Sequence, residues 1–132
     1  LHRDIKPHNI YKINGGVVLG DFGVAKVVEN GKANVTRHMV GTDGYTAPEL
    51  RLGLTDSPAF IYDNKSDYYS LGVTLGSLFE GHFVYENMNE AMMLVSVRNG
   101  KLPLTRVDPN RDQLENLLNG LCKFDPQRRF VY

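Results

Sequence analysis

Residues 1–9 read Leu1-His2-Arg3-Asp4-Ile5-Lys6-Pro7-His8-Asn9, and two shorter motifs follow in order, Asp21-Phe22-Gly23 and Ala47-Pro48-Glu49. The three motifs combine carboxylates, a lysine and an amide, which are residue types that carry chemistry. Each further motif found in the right order makes a chance match less credible, so the pattern is specific. These motifs therefore hold most of the information about fold and function.

The motifs resemble the catalytic loop, the magnesium-binding motif and the end of the activation segment of protein kinases. The resemblance covers almost the whole chain and implies a protein-kinase-like α+β fold. Residues 1–132 are expected to form a mainly α-helical C-terminal lobe fragment with a short β-hairpin next to the catalytic loop. Because no glycine-rich phosphate loop, strand lysine or helix-C glutamate precedes the first motif, we expect a partial kinase domain that lacks its N-terminal lobe and is inactive alone.

The resemblance assigns a catalytic role to Asp4 and Lys6 and a metal-binding role to Asn9 and Asp21. Asp4 matches the aspartate that orients the acceptor hydroxyl and accepts its proton, and Lys6 matches the lysine that contacts the transferred phosphate. Asn9 and Asp21 match two Mg²⁺ ligands with hard oxygen donors. ATP and Mg²⁺ are the implied cofactors, with Lys6, Asn9 and Asp21 binding ATP. The alternative is local: loop residues that cap their own backbone beside a solvated lysine.

The segment from Gly41 to Tyr45 resembles the loop that receives the residue after the phosphoacceptor. Thr42 matches the threonine that reaches back toward the catalytic aspartate and lysine in serine/threonine kinases, whereas tyrosine kinases usually replace the lysine found here at Lys6. Both features imply a protein substrate with a serine or threonine acceptor. His8 stands where many serine/threonine kinases carry glutamate, which puts a preference for basic substrates in doubt.

Other residues match positions that support a kinase site. Glu49 is expected to form a shielded ion pair with Arg129, which lies in the later motif Asp125-Pro126-Gln127-Arg128-Arg129. Asp67 is expected to fix the catalytic-loop backbone, although Tyr69 stands where tryptophan is usual; a helix dipole alone would also favour an acid there. The remaining supporting residues are His2, Arg3, Phe22 and Gly23, with Phe22 as an apolar anchor and Gly23 as a flexible joint.

The resemblance also suggests a regulatory site. In kinases with an arginine at the position of Arg3, this residue often binds a phosphate on the activation segment. Thr36 carries the only aliphatic hydroxyl among residues 24–40, so it is the predicted acceptor, with Arg37 or Lys26 as further ligands. The alternative is an exposed threonine in a segment that is ordered without phosphate.

Composition restricts the partners and the compartment. The 132 residues include 15 basic and 15 acidic side chains, which argues against a nucleic-acid-binding surface or a polybasic membrane patch. No apolar run approaches the ~20 residues that a membrane-spanning helix needs. Cys122 is the only cysteine and lies in an apolar helical pattern, so a buried, reduced thiol is expected. These features favour a cytoplasmic protein, or the cytoplasmic part of a membrane-anchored kinase, and leave the oligomeric state open.

Local patterns predict a hairpin, an irregular segment and helices. Strands are predicted over Ile10 to Ile13 and Val17 to Gly20, joined at Asn14-Gly15-Gly16. Residues 24–46 lack periodicity and are expected to form a mobile surface loop, and residues 50–64 to form an irregular insertion. Helices are predicted over Ser66 to Leu78 with Ser66 as N-cap, over Asn89 to Arg98, and over Arg111 to Lys123 before Pro126.

Apolar residues mark particular sides of the three predicted helices. The first helix is apolar on more than one face, at Tyr69, Val73, Leu75 and Leu78, so deep burial is expected. One side of the second helix carries Ala91, Met92, Leu94 and Val95, and one side of the third carries Leu114, Leu117, Leu118 and Leu121.

The sequence therefore predicts a protein serine/threonine kinase that uses ATP. The run from Gly41 to Glu49 is similar to that of bacterial eukaryotic-like kinases. Two alternatives from other classes remain: a pseudokinase or scaffold lobe that binds protein partners, and a small-molecule kinase of similar fold. The intact catalytic motifs argue against the first, and the peptide-binding loop argues against the second.

Overall fold

The computed structural model describes residues 1–29, 35–51 and 60–131. Its elements are β1 (Ile10–Ile13), β2 (Gly16–Leu19), β3 (Val35–Thr36), α1 (Pro48–Arg51), β4 (Phe60–Ile61), α2 (Asn64–Glu80), α3 (Glu90–Asn99) and α4 (Arg111–Leu121). Short 3₁₀ turns lie at Pro7–Asn9 and Pro126–Arg128. This helical body with two antiparallel strand pairs confirms the predicted α+β fold. Most of the predicted insertion at residues 50–64 lies outside the described residues.

β1 and β2 form the predicted hairpin, with Ile10 opposite Leu19 and the last residue of β1 opposite Gly16. Asn14 and Gly15 make the turn with φ values of 46° and 80°, the positive pair that a two-residue type I′ turn requires. The predicted bounds of the second strand, Val17 to Gly20, each lie one residue too far along the chain. Because two turn residues suffice, Gly16 is available for pairing with β1.

A second strand pair interrupts the segment that is predicted to be an irregular loop. Val35 of β3 pairs with Ile61 of β4, and Thr36 pairs with Phe60. Two-residue strands carry no periodic signal and their partner is distant in the chain, so local patterns cannot reveal them. The pair ties the chain around Thr36 to the segment just before α2.

The start of α2 corrects the predicted cap. Asp63, not Ser66, is the N-cap: its Oδ1 accepts hydrogen bonds from the backbone N–H groups of Lys65 at 2.9 Å and Ser66 at 3.2 Å. Both aspartate and serine are favourable caps, so the sequence alone does not decide between them. α2 ends at Glu80, where Gly81 closes it in the left-handed region with φ of 82°.

The core lies where α2 packs against α4. Gly72 of α2 permits the close approach, because a Cβ there would lie 2.5 Å from Cys122 Sγ and 2.9 Å from Leu121 Cβ. Leu118 and Leu121 of α4 are buried in this contact. Cys122 is buried and free, as predicted, and burial raises the pKa of its thiol to about 12. The thiol therefore stays protonated and acts as a packing group.

Burial of the helices follows the prediction only in part. Tyr69 and Val73 of α2 are buried as expected, but Leu78 is half-exposed. On α3, the apolar side is largely uncovered by the described residues: Ala91, Met92 and Val95 are exposed and Leu94 is half-buried. An apolar stripe identifies a face but not whether another element covers it.

α3 and α4 lie close to their predicted positions. Asn89 caps α3 by accepting the N–H of Met92 at 2.9 Å, and Gly100 ends it with φ of 62°. α4 ends at Leu121, two residues before the predicted Lys123. Within the described ranges, no helix has both the length and the apolar composition needed to cross a bilayer.

Candidate active site

The first turn of α2 holds the catalytic-loop motif in place. Asp67 accepts hydrogen bonds from the backbone N–H of His2 at 2.7 Å and from that of Arg3 at 2.8 Å. Arg3 adopts φ of 68°, a left-handed conformation that costs a non-glycine residue about 1–3 kcal/mol and clusters at functional sites. Such strain persists only where surrounding contacts fix the backbone, and the carboxylate of Asp67 provides two of them.

Asp4, Lys6 and Thr42 form a closed triangle of polar contacts. The Thr42 hydroxyl donates to Asp4 Oδ1 at 2.6 Å, and Lys6 Nζ donates to that same hydroxyl at 2.8 Å. Lys6 Nζ also lies 3.0 Å from Asp4 Oδ2, and all three residues are partly buried. Two segments far apart in the sequence thus meet at one carboxylate.

The environment of Asp4 keeps its carboxyl group ionised. Burial is the largest single influence and alone would raise the pKa of Asp4. The hydrogen bonds from Thr42 and Lys6, the Lys6 charge and the bond from Asn9 together outweigh it, so the pKa lies below the usual 3.8. At neutral pH Asp4 is therefore a carboxylate, able to orient a hydroxyl group and accept its proton.

Asn9 is buried at the end of the 3₁₀ turn that follows Asp4. Its Nδ2 donates to the Asp4 carbonyl at 2.8 Å and to Asp4 Oδ2 at 3.2 Å. Both bonds use the amide nitrogen, so the amide oxygen is the group of Asn9 that remains to face a cation.

The hairpin links Asp21 to the catalytic loop. Gly20, the residue before Asp21, donates its N–H to the Asn9 carbonyl at 2.9 Å, and its own carbonyl accepts a hydrogen bond from His2 Nε2 at 2.9 Å. Asp21 itself has φ of 57° and an exposed side chain. The second carboxylate of the site therefore faces solvent beside the turn that carries Asn9.

Phe22 and Gly23 flank this carboxylate. The Phe22 ring meets the His2 ring edge-on, with 5.0 Å between centroids, but most of Phe22 is exposed. Gly23 donates its N–H to Asp21 Oδ1 at 3.3 Å, and a Cβ at Gly23 would lie 3.2 Å from that oxygen. The small residue at position 23 therefore leaves room for the Asp21 carboxylate to change position.

The donor set at Asn9 and Asp21 fits Mg²⁺. Amide and carboxylate oxygens are hard ligands, and Mg²⁺ commonly binds one or two carboxylates while phosphates and waters complete its shell. The described residues contain no group of three or more His, Cys, Asp or Glu side chains that could hold a metal ion. A magnesium site here would thus be of the sparse kind that a nucleotide completes.

The loop that carries Thr42 contacts the catalytic loop before this residue and α2 after it. Gly41 has φ of 122°, and a Cβ at this position would lie 2.9 Å from Thr46 Oγ1 and 3.0 Å from the Arg3 carbonyl, so only glycine fits. Further along, the Tyr45 carbonyl accepts a hydrogen bond from the Ser70 hydroxyl of α2 at 2.8 Å. The catalytic loop and the central helix together define the path of this segment.

The predicted ion pair between Glu49 and Arg129 is confirmed. Both terminal nitrogens of Arg129 donate to the carboxylate oxygens at 2.6 Å, a bidentate arrangement. The arginine side chain is 0% exposed and that of Glu49 is 18% exposed. The guanidinium also lies over the Tyr69 ring, 5.0 Å from its centroid. Further hydrogen bonds from this guanidinium go to the carbonyls of Lys65, Lys123 and Phe124.

The predicted regulatory residues come only partly together. Thr36 is half-buried in β3, and Lys26 Nζ donates to the carbonyl of the neighbouring Val35 at 3.2 Å. Arg3 Nε donates to the Val24 carbonyl at 2.6 Å, whereas Arg3 Nη1 is buried without a hydrogen-bond partner in the described part of the chain. The structure thus places Lys26 beside the strand of Thr36, and Arg3 beside the start of the same segment.

Sequence reasoning missed the roles of Ser70 and Tyr62. The sequence analysis gives Tyr62 no part in the site, but the structure buries it between the activation segment and Arg3. Only the fold shows which groups its hydroxyl reaches.

Comparison with known proteins adds independent information. The family model described as protein kinase domain matches residues 1–132. The chain is 35% identical over 130 residues to mouse serine/threonine-protein kinase Nek1, which is 98% of this chain and 10% of that protein. It is 30% identical over 131 residues to Schizosaccharomyces pombe serine/threonine-protein kinase cds1, which is 97% of this chain and 28% of that protein. It is 41% identical over 87 residues to Mycobacterium tuberculosis serine/threonine-protein kinase PknK, or 65% of this chain and 7% of that protein. The chain thus spans only 7% to 28% of the length of these relatives.

Proposed function

The chain belongs to the protein kinase family, and we propose that it forms the catalytic centre of an enzyme that transfers the γ-phosphate of ATP to serine or threonine hydroxyls of proteins. The observation that carries this proposal is the triangle in which the Thr42 hydroxyl bridges the Asp4 carboxylate and the Lys6 ammonium. The relatives from mouse, yeast and mycobacterium are all named serine/threonine-protein kinases.

In this proposal Asp4 orients the acceptor hydroxyl and accepts its proton as the phosphoryl group departs. Phosphoryl transfer passes through a loose transition state with charge spread over oxygens, so positioning and charge neutralisation matter more than covalent chemistry. Lys6, held 3.0 Å from Asp4, places a positive charge where the phosphoryl oxygens would lie. The lowered pKa of Asp4 keeps it in the proton-accepting form.

Asn9 and Asp21 are proposed to hold Mg²⁺, and together with Lys6 to bind the phosphates of ATP. When bound, Mg²⁺ supplies neutralisation of the phosphate charge. Asn9 would contribute its amide oxygen and Asp21 its carboxylate. Because the amide nitrogen of Asn9 is bonded to Asp4, the metal ligand and the proton acceptor are fixed relative to one another.

Protein substrates and a cytoplasmic location complete the proposal. The fastened loop around Thr42 offers a surface for a peptide beside the proposed proton acceptor. The buried, protonated thiol of Cys122 suits a reducing compartment. The formal net charge of +0 gives no support for a nucleic-acid partner. The intact triangle likewise gives no support for a pseudokinase.

The experiment that tests the proposal measures transfer of radiolabelled phosphate from ATP to a generic protein substrate by the intact enzyme. Asp4→Asn removes the proton acceptor with little change of shape, and Asp21→Ala removes a metal ligand; each should lower the rate by about 10²-fold or more. Asp112→Asn, at an exposed position in the first turn of α4, is the matched control and should retain the full rate. Wild-type rates in either of the first two variants would contradict the assigned roles.

Regulation through Thr36 is a further part of the proposal. Arg3 Nη1, which has no hydrogen-bond partner among the described residues, and the amine of Lys26 are donors that a phosphate on this segment could recruit, and such contacts order activation segments. Mass spectrometry of the active enzyme should detect phosphate on Thr36, and Thr36→Ala should lower the rate. Full activity without modification at Thr36 would favour the alternative, a segment ordered without phosphate.

A further inference from the structure

Tyr62 lies at the meeting point of the activation segment, the catalytic loop and α2. Its side chain is 2% exposed, although the residue stands in the short connection between β4 and the N-cap Asp63. Its hydroxyl makes two hydrogen bonds with one residue: it accepts the Val40 N–H at 2.6 Å and donates to the Val40 carbonyl at 2.8 Å. Both polar groups of the Val40 backbone are thereby paired with a single side chain.

This contact lies next to the proposed reaction centre. Val40 precedes Gly41, which adopts φ of 122° where a Cβ would lie 3.0 Å from the Arg3 carbonyl, so the chain here passes close to the catalytic loop. Thr42 follows directly and bridges Asp4 and Lys6. Because only one residue separates Val40 from Thr42, the position of the Val40 backbone limits where the Thr42 side chain can lie.

The other face of Tyr62 meets the catalytic loop. The Arg3 guanidinium carbon lies 5.5 Å from the centroid of the Tyr62 ring, within the range of a cation–π contact. Arg3 is also the residue whose backbone Asp67 fixes. Tyr62 thus connects the segment before Thr42 with the loop that carries Asp4, through its hydroxyl on one side and its ring on the other.

We propose that Tyr62 is a positioning residue for phosphoryl transfer: it sets the Val40 backbone so that Thr42 stays between Asp4 and Lys6. This inference rests on the proposed kinase function. In this proposal the Tyr62 hydroxyl fixes the end of the activation segment by hydrogen bonds, and this contact does not depend on phosphorylation. The residue acts through Thr42 and has no contact with the reacting atoms.

The test compares two tyrosine-to-phenylalanine variants in the intact enzyme. Tyr62→Phe keeps the ring beside Arg3 and removes both bonds to Val40. Tyr85→Phe is the matched control, because it removes a hydroxyl from a tyrosine that is equally buried, at 3% exposure. Steady-state kinetics with ATP and a protein substrate are combined with hydrogen exchange of the Val40 amide.

Tyr62→Phe should lower kcat/KM for the protein substrate about tenfold and leave the KM for ATP unchanged, while the Val40 amide exchanges faster. Tyr85→Phe should change kcat/KM, the KM for ATP and the exchange rate of the Val40 amide each by no more than about twofold. Equal losses in the two variants, or wild-type kcat/KM in Tyr62→Phe, would overturn the proposal.

If the wild-type enzyme transfers no phosphate, the proposed function fails, and hydrogen exchange still decides the structural step of the inference. If the Val40 amide then exchanged at the same rate in Tyr62→Phe as in the wild-type protein, the inference that Tyr62 fixes the Val40 backbone would be overturned.

Discussion

The side chain of Thr42 can serve the site because a hydroxyl is both a donor and an acceptor. It donates its one hydrogen to Asp4 and accepts one from Lys6, so it links a negative and a positive charge that lie 3.0 Å apart. Serine could make the same pair of bonds. Valine has nearly the same shape as threonine and could make neither.

Thr42→Val is therefore expected to raise the pKa of Asp4, because the variant loses a hydrogen bond that stabilises the carboxylate. A carboxyl group with a lowered folded-state pKa contributes stability above its unfolded pKa, and this stability is lost as pH falls through the folded pKa. The variant should thus lose part of that contribution at neutral pH, and the acidic limb of its kcat profile should move to higher pH. Rates measured between about pH 3 and pH 8 in the intact enzyme check this, because the lowered pKa of Asp4 places the wild-type limb at unusually low pH.

Two controls sharpen this prediction. Thr42→Ser should restore the wild-type profile. Thr105→Val removes another threonine hydroxyl that donates to a carboxylate, that of Glu80 at 2.6 Å, and should leave the acidic limb in place. An unchanged limb in Thr42→Val would mean that this hydroxyl does not influence the titration of Asp4.

At the scale of elements, α1 is joined to the 3₁₀ turn near Arg129 by a buried ion pair. The guanidinium has no exposed surface and satisfies its donors with Glu49 and backbone carbonyls. Arg129→Ala should lower the free energy of unfolding by ~3–5 kcal/mol, because the Glu49 charge loses its partner in a shielded place. Chemical denaturation of the intact enzyme measures this change.

Arg111→Ala provides the comparison, since Arg111 pairs with Glu115 at 3.5 Å and both side chains are about one-third exposed. An exposed pair of this kind contributes less than about 1 kcal/mol. Similar small losses in both arginine variants would show that burial adds nothing to the Glu49 pair.

At this scale the sequence predicts features that depend on adjacent residues or on known motifs, and it does not predict features that depend on contacts between distant residues. The hairpin follows from Asn14 and Gly15, whose positive φ values belong to two adjacent residues, and the Glu49–Arg129 pair follows from two recognisable motifs. β3 and β4 could not be predicted, because two-residue strands have no period and depend on a distant partner. The cap of α2 could not be decided, since Asp63 and Ser66 are both good caps and only the backbone geometry selects one.

The same limit applies to the site. The motifs identified Asp4, Lys6, Asn9, Asp21 and Thr42, and the structure brings the first three and Thr42 into direct contact. Tyr62 could not be singled out, because its partners Val40 and Arg3 lie far from it in the sequence and only the tertiary structure brings the three together. Within the described ranges no hydrogen bond or ion pair joins Asp21 to Asp4, and the motif Asp21-Phe22-Gly23 is what assigns Asp21 to the site.

At the scale of the whole molecule, α2 is the frame to which the other parts attach. Its first turn holds the catalytic loop through Asp67, and its middle holds the activation segment through Ser70. Thr74 donates to the Ile5 carbonyl at 3.3 Å, and Gly72 admits α4 on another side. Changes in the packing of α2 are therefore expected to reach the catalytic loop even when they lie far from it.

The hairpin has no comparable support within the described residues. Successive side chains of a strand point to opposite faces of the sheet. Because every residue of β2 is exposed, neither face of this strand is covered. Ile13 is 53% exposed and Val17 is 73% exposed. A two-stranded hairpin is marginally stable by itself in water. Its apolar side chains are therefore expected to pack against further chain in the intact enzyme.

This expectation separates the chain of residues 1–132 from the intact enzyme. Alone, the chain should melt at lower temperature and less sharply, because each buried Å² of apolar surface is worth ~25 cal/mol and the hairpin gains little of it. Val17→Thr keeps the shape and the strand preference but adds a hydroxyl. It should lower the free energy of unfolding of the intact enzyme, where Val17 is expected to be covered, by about 1–3 kcal/mol. The free energy of unfolding of the isolated chain should change by less than about 0.5 kcal/mol. Thermal melting of the isolated chain and of the intact enzyme, each with and without the substitution, measures these differences. If Val17→Thr destabilised both proteins equally, or if the isolated chain melted as sharply and at as high a temperature as the intact enzyme, nothing outside residues 1–132 would cover this hairpin.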